Sequence, residues 1–273
     1  MQNKIKILEK IKEPEDRLFI AHILDKACKA AKIHKIVCTD FMDPRKKALA
    51  ERCLKGNIDI GYFFYGGYTG AEREMLFFAP DFIYSDYIYD NDLQIPNIDF
   101  LPFINIINIR NKSINKLTHR DYLGALLGLG IKREKLGDIV IGTDFCSVAV
   151  TADISEFILY NLEKVGNAKV SVSLSQNGMI EKEEKDAREI KANVAALRID
   201  CIAGAGFGIS RSKVAELLKS QKLMLNWETV TSPSKQLKEG DVISIRGKGR
   251  IVLEQIGNNT KKNRINITLK KFS

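Results

Sequence analysis

Near the carboxyl end of the chain stand Leu197-Arg198-Ile199-Asp200, then Ile209-Ser210-Arg211-Ser212-Lys213, then Leu223-Met224-Leu225-Asn226-Trp227, then Gly240-Asp241-Val242-Ile243-Ser244-Ile245-Arg246-Gly247. The first two pieces read as short helices, about 197–205 and 210–220, and the region from Lys222 to Leu269 reads as several short strands. Ser210 is placed to cap the second helix and leave backbone N–H groups pointing outward. Arg211 and Lys213 fall in its first turn, where a cation opposes the helix dipole. That cost points to an external anion, and a phosphate at the helix start would meet free donors. A solvated helix that happens to be basic is the alternative. Val214, Leu217, Leu218 and Leu223 supply the apolar face and read as core. Arg246, Lys248 and Arg250 alternate with Gly247 and Gly249, a pattern suited to a phosphate track. Asn226 either bonds RNA or closes a turn, and Trp227 either stacks on a base or packs. Lys261, Lys262 and Arg264 extend the track or form a charged hairpin turn. The order as a whole reads as a compact RNA-binding module, with Arg198, Ser210, Arg211, Lys213, Asn226, Arg246, Lys248 and Arg250 as candidate contacts.

Charge supports the same division. Residues 190–273 hold 16 Lys and Arg against 6 Asp and Glu, whereas the whole chain nets +9, so the first 189 residues are close to neutral. Affinity for a polyanion is therefore a local property of the last third. The pI of about 9.2 fits a nucleic-acid partner, although an anionic membrane would attract the same charge. No apolar run approaches the roughly 18–20 residues that span a bilayer. Met1 to Lys12 alternates Lys with Ile and Leu and lacks the apolar core of a signal peptide, so a cytoplasmic location is expected. The 5 cysteines, Cys28, Cys38, Cys53, Cys146 and Cys201, are scattered without a Cys-x-x-Cys pair and are expected as buried, reduced thiols. The 3 histidines, His22, His34 and His119, have no metal-ligand spacing. Neither a metal nor a cofactor is expected.

Upstream, residues 13–33 read as a helix opened by Pro14, with Leu18, Ile20, Ile23, Leu24 and Ala27 as its stripe. Lys35 to Cys38 is a short strand. Asp43 before Pro44 is a cap and first helical residue, for a helix ending near Gly56. Strands at 58–65 and 74–79 are joined by Gly66-Gly67-Tyr68-Thr69-Gly70. This makes a small α/β domain, residues 1–80. The stretch 80–102, with Pro80, Pro96 and Pro102, reads as a linker. Beyond it come a strand at 103–110, a helix at 118–130, strands at 139–141 and 145–150, a helix at 153–162 and a strand at 168–174. That β-α-β-β-α-β order is the split order of a ferredoxin-like, RNA-recognition-type sheet, placed in residues 81–180. Glu181 to Lys191 reads as a solvated helix or hinge into the module of residues 190–273. The fold class is α+β.

Other constellations are weaker. Gly124, Gly128 and Gly130 lie within a helical pattern and lack the Gly-x-x-x-x-Gly-Lys spacing of a nucleotide loop, so close helix packing is the better account. His119-Arg120 and Lys132-Arg133-Glu134-Lys135 flank that helix as a second phosphate contact or as solvated caps. Gly66 to Arg73 is either an anion-binding loop or a tight turn. Asp40, Asp43 and Arg45 could hold a metal or substrate, although a cap explains Asp43. His119 has no nucleophile beside it, and no catalytic constellation emerges.

Residues 197–247 resemble the RNA-binding domain of ribosomal small-subunit protein S-four, the αL motif. The whole chain is similar to the bacterial YlmH family. Thr39-Asp40-Phe41-Met42-Asp43-Pro44-Arg45, Gly66-Gly67-Tyr68-Thr69-Gly70-Ala71-Glu72-Arg73 and the run Thr118 to Lys135 (THRDYLGALLGLGIKREK) carry that resemblance. It implies a small α/β domain, an RNA-recognition-like middle and the αL module. It also implies partners in ribosomal RNA, tRNA and the ribosome, with roles in rescue of stalled large subunits and in cell division. Gly204 and Gly206 depart from the pattern and weaken the first helix of the module. Pseudouridine synthases carry similar modules, but Asp200 belongs to the small module and is rejected as catalytic. The expected function is non-enzymatic binding of structured RNA. The alternatives are an RNA-modifying enzyme with its site in the first two domains, and a membrane-associated division factor using the basic patch.

Overall fold

A computed structural model of the chain describes residues 2–80, 99–112, 116–142, 145–175, 178, 180, 188–259 and 264–272. Most of the linker expected at 80–102 lies outside them. The chain forms two compact units, Met1–Lys182 and Glu183–Ser273.

The first unit opens with helices α1 (Gln2–Glu9) and α2 (Pro14–Ile33). Pro14 starts α2, Ile20, Ile23, Leu24, Ala27 and Ala30 form its buried stripe, and His34 ends it in the left-handed region at φ 51°. Strand β1 (Val37–Cys38) precedes α3 (Pro44–Leu54), whose cap Asp43 accepts from Lys46 N at 2.9 Å. Strands β2 (Gly61–Tyr65) and β3 (Met75–Ala79) complete an antiparallel sheet in the order β1-β3-β2. The central strand β3 is buried at every position because both its faces are covered. Leu76 and Phe78 join the core under α2 and α3, and Met75, Phe77 and Ala79 face the other way.

That other face meets a second sheet. It contains β4 (Ile104–Asn111), β5 (Leu136–Ile141), β6 (Cys146–Thr151), β7 (Lys164–Val165) and β8 (Ala168–Leu174), in the order β5-β6-β4-β8-β7 and antiparallel throughout. Helix α4 (His119–Gly128) lies between β4 and β5, and α5 (Ala152–Asn161) follows β6. This is the ferredoxin-like arrangement that the β-α-β-β-α-β order predicts. Alternation along β4 divides its side chains between two cores. Ile107 and Ile109 pack with Leu126 and Ile158 of the helices, while Ile104 and Ile106 pack with Phe63 and Phe77 of the first sheet and with Phe41 in the connection after β1. Close approach at this contact requires Gly137, where a Cβ would come within 2.7 Å of the Phe41 ring and 2.9 Å of Ala149 Cβ.

The second unit is a six-stranded antiparallel sheet with two helices. Its strands are β9 (Arg188–Val194), β10 (Leu223–Leu225), β11 (Glu228–Thr229), β12 (Val242–Ile245), β13 (Gly249–Asn259) and β14 (Ile265–Phe272), ordered β11-β10-β12-β13-β14-β9. Helices α6 (Ile199–Phe207) and α7 (Arg211–Lys219) pack on a core that includes Ile202, Val214, Leu218, Ile251 and Leu269. Gly204 and Gly206 do not shorten α6. A Cβ on Gly206 would come within 2.4 Å of Ile251 Cδ1, so the glycine is what lets the helix lie on the sheet.

Three expectations are corrected. Arg188 to Lys191 form part of strand β9, paired with β14, and not a solvated helix or hinge. The reason is a period of two, Val194 being buried and Ile190 and Ala192 packed beside it, which the surrounding charge obscures. Gly124 and Gly128 have open space where a Cβ would stand, so close helix packing is not their role, and Gly130 turns the chain out of α4 at φ +82°. Among the cysteines only Cys146 is buried, its thiol pushed up to about 12 by burial, while Cys28 is exposed and the other three are half-buried.

Candidate nucleic-acid interface

The exposed start of α7 is built as its sequence requires. Ser210 Oγ accepts from Lys213 N at 3.2 Å and lies 2.9 Å from Ser212 Oγ. Ser210, Arg211, Ser212 and Lys213 are all exposed. Beneath them sits Asp200, only 4 % exposed, on the first turn of α6. Arg198 reaches its two oxygens through Nε and Nη2 at 3.1 Å each, and Arg211 Nε reaches Oδ2 at 3.0 Å. Burial alone would raise this carboxyl, but the hydrogen bonds and charge of Arg211 and Arg198 outweigh it and hold Asp200 below the usual carboxylate range. The anion inferred from a cation on the first helical turn is thus partly internal. Two guanidinium groups share one carboxylate, which leaves a net positive charge on a fixed scaffold. Their outward surfaces stay open, with the Arg211 side chain 58 % exposed and that of Arg198 34 %. Lys213 pairs with Glu216, both more than half exposed, a contact that solvent weakens.

A second group of cations lies at the other end of α7. The hairpin tip Arg246-Gly247-Lys248 joins β12 to β13, and Arg246 N donates to Lys222 O at 3.0 Å. Arg246, Lys248, Lys219 and Lys222 are exposed. Gly247 and Gly249 have φ of 86° and 87°, so the hairpin itself requires them. Arg250 is set back, half-buried, with its guanidinium 4.9 Å from the centre of the Phe272 ring. The cations thus form two groups separated by the length of a nine-residue helix, about 13 Å. Sequence reasoning missed Lys219 and Lys222, whose signal was basic residues in and just after the last helical turn. It also missed exposed Lys235, whose carbonyl accepts from Ile199 N at the start of α6. Lys261 and Lys262 lie outside the described residues, and Arg264 is exposed.

Of the two readings of Asn226, the geometry displays the turn. Its Nδ2 donates to Asp241 Oδ1 and its Oδ1 accepts from Val242 N, each at 2.9 Å.

In the first unit the Gly66–Arg73 loop does hold an anion, and the anion is the chain's own Asp138. Tyr68 Oη donates to it at 2.6 Å, Glu72 N at 2.7 Å and Arg73 N at 3.1 Å. The Arg73 guanidinium donates to the carbonyls of Leu136, Phe41 and Arg133. Loop and arginine together staple the two sheets. Arg133, pushed down to about 10 by burial and by Arg73 beside it, donates to the carbonyls of Leu136 and Gly137. Lys135 bridges Asp40 and Asp153, and Arg45 pairs with Asp16. His119, Arg120, Lys132 and Glu134 are the exposed members of the segments flanking α4. The end of the second sheet left uncovered by the first forms a shallow recess of about 200 Å³ lined by Asn108, Arg110, Phe145, Ser171, Val172 and Ser173. Among the described residues, no group of three or more His, Cys, Asp or Glu could hold a metal ion, and no helix is long and apolar enough to cross a membrane.

Three segments match known families in the same order as the architecture. Residues 15–83 match "YlmH, N-terminal", residues 98–178 match "Putative RNA-binding domain in YlmH", and residues 200–243 match the "S4 domain". The chain is 31 % identical over 258 residues to the ribosome-associated protein quality control protein P2 of Bacillus subtilis, covering 94 % of this chain and 95 % of that one. Among solved structures it is similar to the cell division protein ylmH from Streptococcus pneumoniae, at 18 % identity and a TM-score of 0.48, over 61 % of this chain and 94 % of that one.

Proposed function

The chain belongs to the YlmH family, and from that membership and the exposed cations around α7 we propose that it binds structured RNA on the ribosome without carrying out chemistry on it. One observation carries the reading: two arginines, oriented by a shared buried carboxylate, present their outer surfaces beside an open helix start. Such a surface suits phosphates, which fix register while reading little sequence. Ribosome association comes from the relative's name. Ribosomal RNA and tRNA are the ligands proposed, with Arg198, Ser210, Arg211, Lys213, Arg246, Lys248 and Arg250 as contacts. Rescue of stalled large subunits and the link to cell division belong to the same proposal and depend on that binding. The alternative of an RNA-modifying enzyme loses its best pocket, since Asp138 fills the Gly66–Arg73 loop and Lys135 holds Asp40.

The test is binding of the full chain to purified ribosomal RNA and tRNA at several salt concentrations. Affinity should fall steeply with added salt, and replacing Arg211 and Lys213 by Ala should weaken it and flatten the slope by about one unit per lost phosphate contact. Unchanged affinity in a double variant that retains its thermal midpoint would reject the assignment. Chemical change in the RNA on incubation would favour the enzyme instead.

A further inference from the structure

Asn226 and Trp227 are the central residues of the two-residue turn between β10 and β11, where Leu225 pairs with Glu228. Both have positive φ, 48° and 63°, as a type I′ turn demands. The second such position is ordinarily glycine, because a Cβ there crowds the following carbonyl. Asn226 is suited to its place, tolerating the left-handed region and bonded through its amide to Asp241 and Val242. For Trp227 a bulky side chain at positive φ is an outlier. The residue is half-buried, and its ring is not among the side chains packed against the core of this unit. Neither turn chemistry nor the hydrophobic core accounts for a tryptophan there.

The turn is tied to the Arg198 end of the site by a short run of bonds. Arg198 bridges Gln236. Two residues later, about 7 Å along the chain, Lys238 N donates to Asp241 Oδ2, and the other oxygen of Asp241 holds Asn226.

We infer that Trp227 is a stacking platform for an unpaired base of an RNA whose phosphates lie against Arg198 and Arg211. This rests on the RNA-binding reading above and adds the kind of RNA preferred: one with unpaired nucleotides beside a charged, structured stretch. An indole offers a flat π face that accepts any base, so it adds affinity without sequence choice.

Trp227 is the chain's 1 tryptophan, so its emission reports on the turn directly. The full chain is titrated with a stem–loop RNA bearing an unpaired loop and with a fully paired duplex of equal phosphate number. The stem–loop should quench the emission. Trp227→Gly should bind it about 5- to 100-fold more weakly. The salt slope should not change, because no cation is lost. Trp227→Phe should recover most of the affinity. The thermal midpoint of Trp227→Gly should equal or exceed that of the parent, since glycine is at ease in this conformation. Unaltered emission while the stem–loop binds overturns the inference, as does an unchanged affinity in Trp227→Gly, which would mark the ring as packing. Should that variant fail to fold, the emission of the parent chain decides alone. A parent chain that binds neither RNA removes the RNA-binding reading instead.

Discussion

Asp200 is nearly buried yet has two guanidinium groups at its oxygens, and their pull outweighs the upward push of burial and holds its carboxyl below the usual range. A carboxyl held below its unfolded value of about 3.9 contributes stability that is complete above that pH and is lost as pH falls through the folded value. Thermal unfolding followed from about pH 7 to about pH 3 should therefore show the 183–273 unit weakening below about pH 4. Asp200→Asn should lower its stability at neutral pH by about 1.5–3 kcal/mol and reduce the acid dependence. A variant that keeps the full acid dependence would show that other carboxylates set it. Arg198, Ser210 and Arg211 are legible as a group in the sequence because cap chemistry and helix polarity are local. The role of Asp200 is not, because nothing in a spacing of eleven residues reveals that Arg211 folds back onto it. The same blindness applies to Asp138, whose partners lie more than sixty residues upstream.

At the level of helices and strands, much was legible. Asp43-Pro44, the stripe of α2 (apart from Leu18, which is exposed) and the order β-α-β-β-α-β each arise from rules that act within a few residues. What escaped was decided by tertiary neighbours. The strand β9 hides a period of two beneath a run of charge, and Gly124 and Gly128 in a helix look like packing positions but face open space. Gly137 is the opposite case, an unremarked glycine in β5 with no room for a methyl group. Because Ala149 and the Phe41 ring are buried and held by their own neighbours, Gly137→Ala should destabilise the first unit by about 1–3 kcal/mol. RNA affinity measured under conditions where the variant remains folded should not change. A variant as stable as the parent would mean that the two sheets can move apart without cost.

For the molecule as a whole, the division of charge predicts a division of labour. At the contact between its two sheets the first unit commits three cations internally, Arg73 and Arg133 to carbonyls and Lys135 to two carboxylates. Exposed Arg120 and Lys132 remain at the ends of the segment that most clearly carries the family resemblance. If affinity resides in the last third, Arg120→Ala with Lys132→Ala should leave both the strength and the salt slope of RNA binding unaltered. A slope reduced by about two would place a second phosphate contact in the first unit.

The staple between the two sheets also bears on how the chain is born. Phe63, Phe77 and Ala79 leave the exit tunnel long before Ile104, Ile106 and Ala149, the side chains that will cover them. At cellular elongation rates the interval is on the order of 10 s, during which a greasy aromatic wall faces water. Chaperones have that window in which to shield it, and slow translation anywhere between the two sheets prolongs the exposure.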